Sequence, residues 1–187
     1  MPEMLRLHHF EPRSRANGPG LRSVLWLQGC TLHCPGCFNP HTHPRDGGSL
    51  HSIDDLLGLI LAQTGQVEGI TISGGEPLQQ AGPLAALLMA VKKASSLSIL
   101  LFTGYTWKET SHIPEAETIL KNTDVILTGR YQARHRVASS LLGSSNKTIH
   151  FLTDRYTQAD LDLVPEAEVL IQSDGNIRFS GIEPLQW

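Results

Sequence analysis

Three short apolar runs, each closed by glycine, limit what this chain can fold into. Val24 to Leu27 ends at Gly29, Gly69 to Ser73 ends at Gly74-Gly75, and Ser98 to Phe102 ends at Thr103-Gly104. Short continuous apolar runs bounded by turn residues suit strands covered on both faces. Helical patterns lie between them. Ser52-Ile53-Asp54-Asp55 fits a capping box, and Ile53, Leu56, Leu57, Ile60 and Leu61 repeat with helical spacing on one face. Leu84, Leu87, Leu88 and Val91 mark the face of a second helix. Strand, helix, strand, helix, strand predicts a parallel α/β sheet. Chemistry in such sheets collects at the C-terminal ends of the strands, so the three glycine-marked ends belong to one edge.

The remainder of the chain is less patterned. Residues 1–20 read as polar and end in the turn signal Asn17-Gly18-Pro19-Gly20, and residues 38–51 read as a loop rich in Pro, His and Gly. Pro114 to Lys121 is expected to be a short helix, and Val125 to Leu127 and Thr148 to Leu152 are expected to be strands. Thr157 caps a helix through Leu163, stopped by Pro165. Glu168 to Gln172 and Asn176 to Phe179 flank the hairpin signal Asp174-Gly175. No repeat or linker interrupts the pattern, so residues 1–187 read as one domain. With 187 residues, 40% apolar, 18% charged and a net charge of -3, the chain has the makings of one core and not of disorder. It has no basic block to favour nucleic acid or an anionic membrane. The longest apolar stretch, Leu84 to Val91, falls well short of the roughly 18 to 20 residues that span a bilayer. The N-terminus, MPEMLRLHHFEPRSR, has no apolar secretory core, so the expected location is the cytoplasm.

The three cysteines, Cys30, Cys34 and Cys37, follow the first strand as CxxxCxxC. An odd count without an export signal argues against a disulfide framework. Structural zinc favours four ligands in two separated pairs, and His33 inside the loop is a poor fourth. Three thiolates on a cubane [4Fe–4S] cluster would leave one iron open to substrate. A zinc knuckle is the competing reading.

CxxxCxxC followed by Gly74-Gly75-Glu76-Pro77 resembles the radical S-adenosylmethionine (SAM) superfamily. Asn17-Gly18-Pro19-Gly20-Leu21-Arg22, Leu27-Gln28-Gly29-Cys30 and Cys37-Phe38-Asn39-Pro40 are similar to segments of the glycyl-radical-enzyme activating group. Thr71 to Leu78, Phe102 to Thr106 and Gly143 to Asn146 resemble most closely the type that activates anaerobic ribonucleotide reductase. Asn17 stands where Asp is usual, Thr128-Gly129-Arg130-Tyr131 where an Asp-Gly-Pro-Phe-like segment is usual, and Leu142 where Arg is usual.

The resemblance implies an open, partial (β/α) barrel, with helices outside a parallel sheet and a C-terminal hairpin. It implies an oxygen-sensitive oxidoreductase in which SAM chelates the open iron and is reductively cleaved to a 5′-deoxyadenosyl radical. It makes Cys30, Cys34 and Cys37 the cluster ligands and the catalytic centre. Gly36, Cys37, Phe38, Gly74, Gly75, Glu76, Pro77 and Thr103 become the cofactor-binding set, with the two glycines admitting the methionine moiety close to backbone and Glu76 facing its amine. The expected partners are a glycyl radical enzyme, such as anaerobic ribonucleotide reductase, and a one-electron donor such as flavodoxin or ferredoxin. A stand-alone enzyme acting on a peptide or metabolite shares this chemistry. His41 and His43 read as solvated loop residues and His8-His9 as surface. Lys92-Lys93 reads as complementing a helix dipole. Arg130, Arg134, His135 and Arg136 read as a solvated basic face, and Arg130 to Asn146 is the expected docking segment.

Overall fold

The computed structural model describes residues 3–171 and 174–182. The chain runs β1 (Met4–Ser14), β2 (Arg22–Leu27), β3 (Ser49–Ser52), α1 (Ile53–Leu61), β4 (Gly69–Gly74), α2 (Ala81–Ala94), β5 (Ser98–Phe102), α3 (Trp107–Thr110), α4 (Ala116–Lys121) and β6 (Val125–Thr128). It continues through β7 (Arg136–Ser139), β8 (Leu142–Ser144), β9 (Thr148–Phe151), α5 (Gln158–Asp162), β10 (Ala167–Ile171) and β11 (Ile177–Gly181). The main sheet has seven strands in the order β3-β1-β2-β4-β5-β6-β9. Its centre, β2-β4-β5-β6, is parallel, and antiparallel pairings β1 to β2, β3 to β1 and β9 to β6 extend both flanks.

The period of two along each strand sorts the two faces. Leu25, Leu27, Ile70, Ile72, Ile99, Leu101 and Ile126 point one way, into a core with Leu56 and Ile60 of α1, Leu84, Leu87, Leu88 and Val91 of α2, and Ile119 of α4. Leu100, Val125 and Leu127 point the other way, into a smaller cluster with Leu141, Tyr156 and Leu161. The longer helices thus cover one face. The opposite face is partly open, the arrangement of an incomplete barrel rather than of a doubly wound sheet.

The expected elements fall where their signals lie. Ser52 caps α1 by accepting from the Asp55 amide at 3.1 Å. The Asp55 carboxylate takes the Ser52 hydroxyl at 2.7 Å instead of a backbone amide. Thr157 and Asp160 make the complete reciprocal box at α5. The hairpin β10–β11 turns at Asp174-Gly175; Gln172, expected at the end of its first strand, lies outside the described residues.

Two expectations are corrected. The segment read as polar contains β1, whose Leu5 and Leu7 are buried while the polar residues between and after them dilute the alternation. The segment read wholly as loop ends in β3, an edge strand with no buried side chain to announce it. The short α3, boxed by Thr106 and Glu109, also had no apolar run to mark it. Among the described residues, no helix is long and apolar enough to cross a membrane.

Arg22 is wholly buried and anchors the Asn17–Arg22 segment beneath the sheet. Its guanidinium donates to Thr71 Oγ1 at 2.9 Å, Ile70 O at 2.6 Å, Ser98 Oγ at 2.9 Å and Tyr156 Oη at 3.1 Å. Tyr156 Oη in turn donates to the Glu68 carboxylate, so the buried charge is answered through a hydroxyl relay.

Candidate active site

Register places the three strand ends side by side. Leu27 pairs with Gly74 across β2 and β4, and Ile72 with Leu101 across β4 and β5. Trp26, Ser73 and Phe102, on the face away from the long helices, line a cavity of about 550 Å³. That volume lies within the roughly 300–1,000 Å³ typical of small-molecule sites.

The cysteine loop is held by main-chain bonds to the segment that returns past it. Gly29 donates to Thr42 O at 2.7 Å and Cys30 to His43 O at 3.0 Å. Gln28 is buried and pins the same return, donating to Pro44 O at 2.7 Å and His41 O at 3.1 Å. Left-handed backbone at His33 (φ 46°) and Gly36 (φ 74°) winds the loop tightly, and Cys37 N donates to Cys34 O at 3.1 Å. Cys30 is buried, Cys34 and Cys37 are partly exposed, and all three are free thiols lining the cavity. Burial pushes the Cys30 thiol up, with the Glu76 carboxyl adding to the effect.

Gly74 and Gly75 line the cavity, and each also makes a close backbone approach. A Cβ on Gly74 would stand 2.3 Å from Leu27 N, and one on Gly75 would stand 2.3 Å from Gly29 O and 3.0 Å from Thr42 O. Both glycines let backbone meet backbone. Gly75 seats the Gly-Gly-Glu-Pro turn against the cysteine loop, and Glu76 N completes the contact by donating to Gly29 O at 2.9 Å.

Glu76 is 1% exposed and its carboxylate is engaged. Oε1 accepts from Leu78 N at 2.9 Å and Thr103 Oγ1 at 2.8 Å, and Oε2 accepts from Gly104 N at 2.7 Å. Burial pushes this carboxyl above its ordinary range, against the pull of those donors. Glu76 therefore clasps the end of β4 to the end of β5, and Thr103 reaches the site through it. Glu76, Thr103, Gly104, Gly74, Gly75 and Phe38 all lie on the cavity wall. Gly36 faces Ala133 and Tyr131, and Pro77 is buried in the turn that follows Glu76. Neither is on the wall among the described residues.

Sequence reasoning missed much of the rest. His8, His9, His41 and His43 line the cavity; His8 and His41 are exposed, as surface and loop residues should be, and His9 and His43 are half-buried. His9 stacks on Trp26 with centroids 5.6 Å apart; burial, then the Arg178 charge, lowers its pKa. Arg178 to Ile182 of the C-terminal hairpin close one side, and Lys147 stands on the wall near the cysteines. The expected docking segment is folded against the cysteine loop. Phe38 meets the Tyr131 ring at 4.5 Å, the Arg136 guanidinium lies over it at 4.9 Å, and Gly143 packs against it. Arg130 is paired with Glu109 at 2.6 Å. Only packing decides these contacts, and no spacing in the sequence signals them.

The donor set suits an iron–sulfur cubane. It consists of three unpaired thiols at one cavity, with no carboxylate among them and space beside them for a further ligand. No three His, Cys, Asp or Glu side chains of the described residues converge on a single-ion position. A cubane does not ask for that, because each thiolate binds a different iron. The fold and site together define an iron–sulfur protein of the radical SAM type.

Residues 16–150 match the family described as a 4Fe-4S single cluster domain, and the chain belongs to that family. It is 31% identical over 157 residues to the anaerobic ribonucleoside-triphosphate reductase-activating protein of Vibrio cholerae, covering 80% of this chain and 99% of that one. The protein of the same name from Enterobacteria phage T4 is 31% identical over 147 residues, covering 76% of this chain and 92% of that one. The pyruvate formate-lyase 1-activating enzyme of Escherichia coli K12 is 28% identical over 151 residues, covering 78% of this chain but 60% of that enzyme. Among solved structures, QueE from Escherichia coli gives a TM-score of 0.47 at 21% identity, covering 55% of this chain and 53% of that one. The cofactors of this radical SAM family are a [4Fe–4S] cluster and S-adenosylmethionine.

Proposed function

We propose that this chain, acting as a single domain over residues 1–187 in the cytoplasm, is a radical SAM activase that installs a glycyl radical on a partner enzyme. Anaerobic ribonucleotide reductase is the first candidate partner. The observation that carries the reading is the meeting of the three thiols and the Gly-Gly-Glu-Pro turn at one cavity. The similarity to activating proteins over most of the chain supports it.

When bound, the cluster and SAM supply reductive cleavage of a carbon–sulfur bond and a 5′-deoxyadenosyl radical, the electron coming from a donor such as flavodoxin or ferredoxin. The chain's own residues hold and shield. Cys30, Cys34 and Cys37 hold the cluster. Gly74, Gly75 and Glu76 shape the adjoining wall for the methionine end of SAM, with Pro77 fixing the turn and Thr103 fixing the carboxylate. Gly36 and Phe38 set the shape of the cysteine loop. Trp26, Phe102 and Leu141 give the wall apolar surface that keeps water from the reacting centre. The segment Arg130 to Asn146, packed on Phe38, borders the mouth where a partner's glycine loop would enter.

The test is anaerobic reconstitution with iron and sulfide analysis, then addition of SAM and a one-electron reductant. The protein alone should release 5′-deoxyadenosine slowly. With its glycyl radical enzyme it should give a persistent doublet by electron paramagnetic resonance. Release of 5′-deoxyadenosine without any radical on the authentic partner would move the reading to a small-substrate enzyme.

A further inference from the structure

Lys147 and Arg178 are the lysine and arginine residues of the cavity wall among the described residues. Arg178 is engaged by His9 and by Glu11, whose carboxylate lies 3.4 Å away. Nearby Arg130 is engaged by both oxygens of Glu109, at 2.6 and 2.9 Å. Glu76, the acid on the wall, is satisfied by Leu78, Thr103 and Gly104. Lys147 differs from these: among the described residues no acceptor lies within hydrogen-bond or ion-pair distance of its ammonium.

Its placement is nonetheless built. Lys147 sits in the tight turn between β8 and β9, where its own amide donates to Ser144 O at 3.2 Å. Asn146 Nδ2 donates to Arg130 O at 2.9 Å and fixes the turn against the strand end of β6. Gly129, with φ 112°, brings its backbone against the Lys147 stem, so that a Cβ there would lie 3.4 Å from the Lys147 Cα. Lys147 shares the cavity wall with Cys30, Cys34, Cys37 and Glu76, near enough for charge to be felt between it and Cys34, Glu76 and Cys37. Lys147 is half-buried, and a cation on a cavity wall without an acceptor is stabilised by an anion that arrives beside it. Three thiolates outweigh the charge of the cluster core, and each added electron makes the site more negative.

We propose that Lys147 is an electrostatic positioning residue for the cluster site: its ammonium answers the charge of the thiolate-bound cluster and makes reduction easier. The inference rests on the cluster assignment above and extends it to a residue outside the ligand loop. Charge, hydrogen bonding and burial around an iron–sulfur cluster set its potential, and Lys147 supplies the first of these from β8–β9, more than 100 residues downstream of the cysteines.

The experiment uses the full-length chain, reconstituted anaerobically without SAM, as wild type, Lys147→Met, Lys147→Gln and Lys147→Arg. Iron content and melting temperature are measured on each. The midpoint potential is then read by a dye-mediated titration followed by electron paramagnetic resonance of the reduced cluster. The neutral variants should show about a tenfold lower ratio of reduced to oxidised cluster at a fixed solution potential, about 59 mV for one electron, and Lys147→Arg should recover most of it. Loss of iron from both neutral variants but not from Lys147→Arg also supports the proposal. Loss of iron from all three variants overturns it in favour of packing. An unchanged midpoint overturns it, and weaker SAM binding at that unchanged midpoint would assign the ammonium to SAM. A wild-type protein that holds no iron overturns the cluster reading itself, a result distinct from all of these.

Discussion

Cys34 and Cys37 are partly exposed, so Ala replaces them at little structural cost, while Cys30 is buried and its replacement leaves a small void. Each replacement should nevertheless remove most of the iron bound after reconstitution, since a cubane held by three ligands cannot spare one. Iron and sulfide analysis alongside thermal melting checks this; full iron content in any one variant would sink the ligand assignment. Gly75→Val is a different case. Its Cβ would collide with the Gly29 and Thr42 carbonyls, both backbone, so the cysteine loop must move. The variant should lose about 1–3 kcal/mol of stability, the usual cost of overpacking, and should lose bound iron as well. Denaturant unfolding and iron analysis on one sample test it. An unchanged unfolding midpoint would show that the turn does not seat on the loop as described.

At the scale of elements, α3 is held by a charge at each side. Glu109 closes the capping box with Thr106 and receives Arg130 from the segment after β6. The Arg130 guanidinium, with the Thr106 amide and hydroxyl, holds the Glu109 carboxyl down at about 2, from an ordinary 4.5. The group's folded-state value is depressed, so its contribution is fully present above pH 4.5 and is lost as pH falls through about 2. The pair is solvent-exposed, so that contribution is small. Titration of the Glu109 side chain by carbon-detected nuclear magnetic resonance should give a value near 2, and Arg130→Ala should return it most of the way to 4.5. A value near 4.5 in the wild type would show that Arg130 points elsewhere.

For the molecule as a whole, binding at the cavity should tie the strand ends to the C-terminal hairpin. Ligand at 100 times its dissociation constant stabilises a protein by about 2.7 kcal/mol. In a chain of this size that raises the melting temperature by roughly 5–10 °C. SAM should produce this shift in the reconstituted protein and not in Cys34→Ala, measured by anaerobic differential scanning fluorimetry; an equal shift in both would place SAM binding away from the cluster. The hairpin matters here because it is fastened to the start of the sheet: Glu168 receives the Ser14 hydroxyl and the Arg15 amide, the latter at 2.8 Å, and Asn17 donates to Ser180 Oγ at 2.7 Å.

What the sequence determined by itself was local or periodic. The runs ending at Leu27, Ser73 and Phe102 announced buried parallel strands, Ser52 and Thr157 announced helix starts, Asp174-Gly175 a hairpin, and the order of strands and motifs the meeting of CxxxCxxC with Gly-Gly-Glu-Pro at one sheet edge. These signals survive without tertiary context because they arise from the strand period, from capping and from the reach of a short loop. The tertiary structure decided what depends on partners distant in sequence. It showed β1 and β3 as strands, although their polar residues mask the alternation. It showed that the glycines of the second motif also let backbone meet backbone, and that Glu76 clasps two strand ends through Thr103 and Gly104. It brought Lys147 and Arg178 to a cavity whose cysteines lie more than 100 residues earlier. The direction of a Cβ and the meeting of distant side chains are set by how elements pack, and no local pattern encodes them.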